Sequence, residues 1–190
     1  MAKSKITDKQ NECLLTLSRI GCIPLGMEKD LGLRASTCKS LCEFGYFEKK
    51  TILNQENKCV DMYVPTKKSQ TYFKNHFDSS YKATKSLHDY TLAQEYSKLS
   101  TNEREHFMTE YQTKSYFEDC LYNRYQGEDK EELIERYETQ GITTPDCMYI
   151  SDSGSLECIE VITINYKGAA IIEKQLASTI MGANFNDVRC

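Results

Sequence analysis

The chain contains no apolar run of about 18 residues, the length that a membrane-spanning helix needs. It also lacks the apolar core of an export signal near its start, because Met1–Lys5 leads into a polar segment. These two absences argue against the classes of membrane-spanning and secreted protein. From the sequence we therefore expect a cytoplasmic protein with no membrane partner.

Paired zinc-ligand motifs are missing as well. Cys38 and Cys42 stand four residues apart on a predicted helix, but no second His or Cys pair follows at finger spacing. Nine cysteines would suggest a disulfide scaffold in a short secreted chain, yet here the number is odd and the spacing irregular. The sequence favours free thiols and predicts no required cofactor, with Mg²⁺ as the one candidate ion.

Charge is distributed unevenly, although the 190 residues together carry a net charge of only -4. Residues 1–75 contain 13 Lys and Arg against 8 Asp and Glu, a net charge of +5. The remaining residues contain 11 against 20, a net charge of -9. A basic module is what a duplex-binding surface requires, because neutralising phosphates releases counterions. A merely solvated basic surface is the alternative.

The first 45 residues have a helix-turn-helix order. Thr7 can cap a helix that runs through Ile20. A short second helix is predicted around Leu25–Leu31 and a third from about Ala35 to Phe44, each followed by a glycine. The inner face of the third helix is predicted to consist of Cys38, Leu41 and Phe44.

Two strands and a further helix are predicted next. The runs Tyr46–Leu53 and Cys59–Val64 are typical of strands around a polar tip, with Pro65 closing the pair. The segment Thr66–Ser69 then leads into another helix. Residues 6–73 thus resemble a winged helix-turn-helix domain, and we assign residues 1–75 to a DNA-binding domain of this type.

If this domain binds duplex DNA as other winged helix-turn-helix domains do, the third helix lies in the major groove and the wing contacts phosphates. The candidate base-reading residues are Arg34, Ser36, Thr37, Lys39 and Ser40. The candidate phosphate contacts are Lys49, Lys50 and Lys58. The ordinary alternatives are a solvated helix face and a hairpin whose lysines protect its edges.

A second candidate site is formed by two acids around a predicted hairpin. Asp146 precedes the apolar run Cys147–Ile150, and Glu160 lies in the run Leu156–Thr163, with a turn at Ser153–Gly154 between them. We expect the two carboxylates on neighbouring strands and on the same face. Two such carboxylates can share a Mg²⁺ ion, as in many nucleases.

The nuclease pattern PD-(D/E)xK needs a lysine two residues after the second acid, but that position is Ile162. Lys174, on a helix predicted from Gly168 to Ile180, is the candidate replacement. A surface lysine beside Glu173 is the favoured alternative.

A third acid is expected on a helix before the sheet. A capping box at Ser100–Glu103 predicts the start of a helix that carries Glu103, Glu110 and Glu118 toward the strands. Glu110, which follows Thr109, is the candidate to complete the site.

Taken in order, the winged helix, His88-Asp89, Thr109-Glu110, Pro145-Asp146 and Glu160–Thr163 resemble the replication-relaxation family of plasmid and phage proteins. The resemblance covers nearly the whole chain. It implies an α+β fold in which a winged helix-turn-helix precedes a restriction-endonuclease-like α/β domain, here residues 76–190 with a helical segment at their start. It makes His88 a candidate site residue, although a lone histidine on an aromatic-rich helix is more often structural.

Three function classes stay open. The first is a sequence-specific DNA-binding protein of a mobile element, acting in replication or transcription regulation, whose nuclease-like domain is degenerate and serves dimerisation or partner binding. The second is a metal-dependent DNA nuclease with Asp146 and Glu160 as metal ligands and Glu110 and Lys174 as further catalytic residues. The third is a phage decoy that binds a host defence factor. The first two differ in whether a lysine nitrogen lies close to Asp146 and Glu160.

Overall fold

The structure, a computed structural model, describes residues 6–84, 86–164 and 168–190. The fold is mixed α+β and divides into two compact units, Met1–Leu99 and Ser100–Cys190. The first unit extends beyond the predicted boundary at residue 75, because helix α4 (Leu87–Lys98) packs against α1 (Asp8–Ile20) and the short strand β1 (Ile23–Pro24).

Helix α1 begins and ends as its sequence predicts. The Thr7 side chain accepts from the Gln10 N–H at 3.3 Å, and the Gln10 side chain accepts from the Thr7 N–H at 3.0 Å, which closes a capping box. Gly21 ends the helix with a left-handed φ of 77°. Leu14 and Leu17 are fully buried, so the apolar stripe of α1 forms the core of the first unit.

The predicted helix at Leu25–Leu31 is wrong. The chain forms β1 and then a series of turns. In one of them the Leu31 N–H donates to the Met27 carbonyl at 3.0 Å, but no second helical turn follows. The reason is pairing with a distant strand. Ile23 lies opposite Tyr63, and this pairing holds Ile23–Pro24, just before the expected helix, in an extended conformation. A local helical pattern loses to such pairing when the helix would be so short.

Helix α2 (Ala35–Glu43) and the hairpin of β2 (Phe47–Leu53) and β3 (Cys59–Pro65) confirm the rest of the predicted order. The three strands form an antiparallel sheet in the order β1-β3-β2. At the hairpin tip the Asn54 side chain accepts from the Glu56 and Lys58 N–H groups, at 3.0 and 2.9 Å. Helix α3 (Lys67–His76) follows, as the sequence predicts.

The prediction that Phe44 belongs to the inner face of α2 is wrong. Cys38 and Leu41 are buried, but Phe44 is 49% exposed. The helix ends at Glu43, so Phe44 leaves the helical repeat that would have turned it inward.

Before its main hairpin, the second unit has several helices and a short strand. Ser100 and Glu103 form the predicted capping box of α5 (Thr101–Glu105). The expected single helix carrying Glu103, Glu110 and Glu118 is wrong, because strand β4 (Met108–Thr109) interrupts it and α6 (Glu110–Asp119) starts anew. A π-helical segment, Cys120–Arg124, extends α6, and α7 (Lys130–Gln140) starts within the charged segment of residues 128–132.

The second sheet has the order β4-β5-β6-β7. Strands β5 (Cys147–Ile150) and β6 (Leu156–Ile162) form the predicted antiparallel hairpin, with Gly154 in the turn at a φ of 86°. Helix α8 (Gly168–Met181) then crosses to β7 (Asn184–Arg189), which pairs parallel to β6. The sequence also predicts that this strand ends near Asn165 and Tyr166, and these two residues lie outside the described ranges.

The core of the second unit lies between this sheet and its helices. Its buried members include Phe117, Leu121, Met148, Cys158 and Ile180. Since Met148 and Cys158 are register partners, one sheet face supports α6 and α8. That face also carries the two acids of the candidate site.

Candidate functional site

Asp146 and Glu160 lie side by side at one end of the β5–β6 hairpin. Cys147 pairs with Ile159, so the same register sets Asp146 opposite Glu160 and turns both side chains to one face. The Asp146 N–H donates to Glu160 Oε2 at 3.1 Å, and the Val161 N–H donates to Asp146 Oδ2 at 2.8 Å. Each carboxylate is thus held by the neighbouring strand. The predicted proximity of the two acids is confirmed.

Lys174 contacts this pair directly. Its Nζ donates to Glu160 Oε1 at 2.6 Å, and both residues are buried. The favoured alternative of a surface lysine beside Glu173 is therefore wrong. Lys174 lies on the inner face of α8 with Ala177, Ser178 and Met181, and that face directs its side chain at the sheet.

The three side chains form a buried, charge-assisted network. A buried cation close to a carboxylate interacts strongly, because protein surroundings screen charge less than water does. Such a network can position the groups of a phosphodiester-cleaving site. It can also serve only the fold, as buried ion pairs do in many proteins.

Glu110 is near this network but not in it. It is exposed at the first position of α6 and lines a cavity of 680 Å³ together with Lys114, Glu173 and Lys174. In residues 6–84, 86–164 and 168–190, no three His, Cys, Asp or Glu side chains are grouped to hold a metal ion. Asp146 and Glu160 could therefore supply two ligands, and Mg²⁺ accepts one or two carboxylates with water completing its shell. The donor set fits a weakly held hard cation.

Of the proposed base-reading residues, four lie on α2 and Arg34 is the residue just before the helix. Arg34, Ser36 and Lys39 are exposed, and Thr37 and Ser40 are half-buried. Ser40 Oγ also accepts from Gln10 Nε2 at 3.5 Å, which links α2 to α1. Buried Cys38 and Leu41 form the opposite side, so α2 has one core face and one polar face.

The proposed phosphate contacts lie on the β2–β3 hairpin. Lys49, Lys50 and Lys58 are all exposed. Lys58 forms an ion pair with Glu56 at 2.5 Å, and the Lys49 ammonium lies 5.8 Å from the centre of the Tyr63 ring. Exposed pairs of this kind contribute little to stability, so Lys49 and Lys58 can exchange these contacts for a polyanion.

His88 belongs to a polar cluster whose central residue the sequence reasoning missed. The Tyr81 hydroxyl lies 2.9 Å from His88 Nδ1 and donates to Asp89 Oδ1 at 3.1 Å, and Thr84 donates to the same oxygen at 2.7 Å. The Tyr81 N–H donates to the Ser18 carbonyl at 2.7 Å, which fastens the segment after α3 to α1. His88 therefore has a structural role in the first unit. No local pattern marks Tyr81, because its partners lie in other elements.

All nine cysteines are free thiols in the structure. Burial raises the pKa of the Cys22 and Cys147 thiols well above the ordinary value, and it raises that of Cys158 to about 11. Cys38 Sγ donates to Cys13 Sγ at 3.9 Å, which raises the pKa of Cys38 and lowers that of Cys13. Raised pKa values keep thiols protonated and unreactive.

No helix in the described parts of the chain is long and apolar enough to cross a membrane. Comparisons with models of protein families, with curated proteins and with solved structures found no match to this chain.

Proposed function

We propose that the protein binds double-stranded DNA through its first unit. The observation that carries this proposal is the position of α2, which carries exposed Lys39, follows exposed Arg34 and packs next to a lysine-bearing hairpin in one compact unit. An exposed helix of this kind suits the major groove, and a hairpin can reach the flanking phosphates. The net charge of +5 in residues 1–75 favours the same partner.

The biological role follows from the sequence resemblance. A winged-helix unit joined to a nuclease-like unit is the organisation expected of the replication-relaxation family, so we propose a regulator of replication or transcription in a plasmid or phage. A homodimer is the assembly to test, since paired half-sites on DNA mirror a two-fold protein.

Electrophoretic mobility shifts with the full chain test the DNA-binding proposal. We expect complexes with fragments of plasmid or phage DNA whose affinity falls steeply as salt rises, because phosphate contacts release counterions. Arg34→Ala and Lys39→Ala should each weaken specific binding by about 1–3 kcal/mol if they reach base edges.

Lys82→Ala is the matched control, because Lys82 is exposed in the same unit but lies outside α2 and the wing. It should leave the affinity close to that of the unaltered chain. Absence of any complex at low salt would remove the DNA-binding proposal.

A second candidate function has its own supporting observation. The 2.6 Å contact from Lys174 to Glu160, next to Asp146, supplies the cation that the PD-(D/E)xK pattern lacks at Ile162. We therefore propose that the second unit is a metal-dependent nuclease site. Asp146 and Glu160 would hold the ion, which would polarise the phosphate and activate water, and Lys174 would stabilise the developing charge.

Incubation of the full chain with supercoiled plasmid and Mn²⁺ tests this second function. Nicking should be lost in Asp146→Asn, because that change removes a metal-ligand charge. Glu128→Gln is the control, since Glu128 is exposed in the same unit and lines no part of the cavity. If the chain binds DNA in mobility shifts but never nicks it, the nuclease proposal is rejected and only the regulator proposal stands. If nicking survives Asp146→Asn, this site is not its source.

A further inference from the structure

The cavity beside Lys174 is built from three parts of the second unit. Helix α6 contributes Glu110 and Lys114, α8 contributes Glu173 and Lys174, and the end of α7 with the segment after it closes the remaining side. Its volume of 680 Å³ lies in the range of small-ligand sites, about 300–1,000 Å³.

Most of the charged groups lining this cavity have protein partners. Lys174 is paired with Glu160. Glu173 accepts from Arg136 at 3.2 Å and from Thr143 at 3.3 Å. Glu138 accepts from the Tyr122 hydroxyl at 3.2 Å. These hydrogen bonds and ion pairs hold the three groups in place around the cavity.

Lys114 differs from them. It is exposed on α6 and lines the cavity, and its side-chain ammonium makes no ion pair or hydrogen bond with any described residue. Glu110 lies four residues earlier on the same helix, a spacing that places both side chains on one face. Lys114 is therefore the lining cation that is available to an incoming anion.

The chemistry of the proposed substrate requires such a group. A nucleic-acid strand carries a negative charge on every phosphate, and a lysine ammonium is a flexible point charge suited to a phosphate oxygen. Because Lys114 and Lys174 line the same cavity, a strand whose reacting phosphate faced Lys174 would place a neighbouring phosphate near Lys114. A second cation there would hold the strand in register without acting on the bond that breaks.

We propose that Lys114 is a substrate-binding residue that holds the phosphate next to the one facing Lys174. This inference rests on the proposed nuclease function of the second unit. It assigns the cavity to a phosphodiester strand.

Titration of the full chain with the 5′-phosphorylated dinucleotide pTpT, followed by amide NMR shifts, tests the inference without requiring cleavage. We expect shifts at the lining residues Gly141 and Thr143. Lys114→Gln should weaken binding about fivefold or more, because one charged hydrogen bond is lost, and Lys114→Arg should retain most of it. Lys130→Gln is the matched control, since Lys130 donates to the Tyr122 carbonyl and does not line the cavity.

Absence of shifts at the cavity, or equal weakening by Lys114→Gln and Lys130→Gln, would overturn the inference. Plasmid nicking in parallel separates this failure from failure of the nuclease proposal. Asp146-dependent nicking with unchanged pTpT affinity in Lys114→Gln would reject only the role of Lys114. Cavity binding without nicking would reject the nuclease and leave the phosphate site in place.

Discussion

Lys174 and Glu160 are opposite charges in buried positions, with 10% and 1% of their side chains exposed. Burial of a charge is costly unless a partner compensates it, and here a 2.6 Å hydrogen bond and a backbone N–H provide that compensation. The stability of the second unit therefore depends on both charges being present together. Removing one of them is worse for the fold than removing both.

We predict that Lys174→Met destabilises the protein by about 3–5 kcal/mol, because it leaves the Glu160 carboxylate buried without its cation. Urea unfolding followed by circular dichroism measures the change.

The double variant Glu160→Gln with Lys174→Met should recover most of that loss. Glutamine is neutral and still offers an oxygen to the Asp146 N–H. A double variant no more stable than Lys174→Met alone would contradict the predicted coupling.

At the scale of elements, the β5–β6 hairpin shows how a turn residue determines register. Gly154 has a φ of 86°, a value that residues other than glycine rarely adopt. A Cβ added at this position would meet no atom within 4 Å. A substitution at this position thus changes backbone strain without changing packing. The register that pairs Asp146 with Glu160 begins at this turn.

Gly154→Ala should cost about 1–2 kcal/mol in the free energy of unfolding, since a left-handed residue with a Cβ is strained. Gly168→Ala is the matched comparison, because Gly168 begins α8, has no left-handed φ and also has open space around it. That change should be neutral or slightly stabilising. Equal destabilisation by the two alanines in urea unfolding would contradict the assigned strain.

Local signals predicted much of the fold. The Ser153-Gly154 turn and its flanking apolar runs predicted the hairpin, and helical spacing predicted α8. Pairing between distant segments was not predictable in this way. Nothing near Ile23 indicates its pairing with Tyr63, so the helix expected at Leu25–Leu31 was wrong. The two residues of β4 were missed for the same reason.

For the candidate site, too, features set by local sequence were predictable and features set by packing between elements were not. The register of Asp146 and Glu160 follows from the residues of the hairpin itself. The burial of Lys174 depends on how α8 packs over the sheet, which its sequence does not state. The cavity that contains Glu110 needs α6, α7 and α8 together, so Lys114 could not be singled out from sequence.

At the scale of the whole molecule, two compact units imply two separately folding parts. Helix α4 belongs to the first unit and buries Leu92, Ala93 and Tyr96. We predict that residues 1–99 expressed alone give a cooperative unfolding transition and bind DNA as the full chain does.

Residues 1–75 should be markedly less stable than residues 1–99, because α1 and β1 lose their contact with α4. Thermal unfolding of both fragments by circular dichroism compares them. Equal melting temperatures would return the boundary of the proposed DNA-binding domain to residue 75.

The buried pair of Lys174 and Glu160 also has an evolutionary consequence. An apolar pair of similar volume can replace a buried ion pair without loss of stability. Lineages in which this pair serves only the fold should therefore drift toward uncharged residues at both positions. Lineages that retain Glu160, Lys174 and Asp146 together would carry the mark of selection for chemistry, so divergent homologues could separate an active nuclease from a remnant before any enzyme is purified.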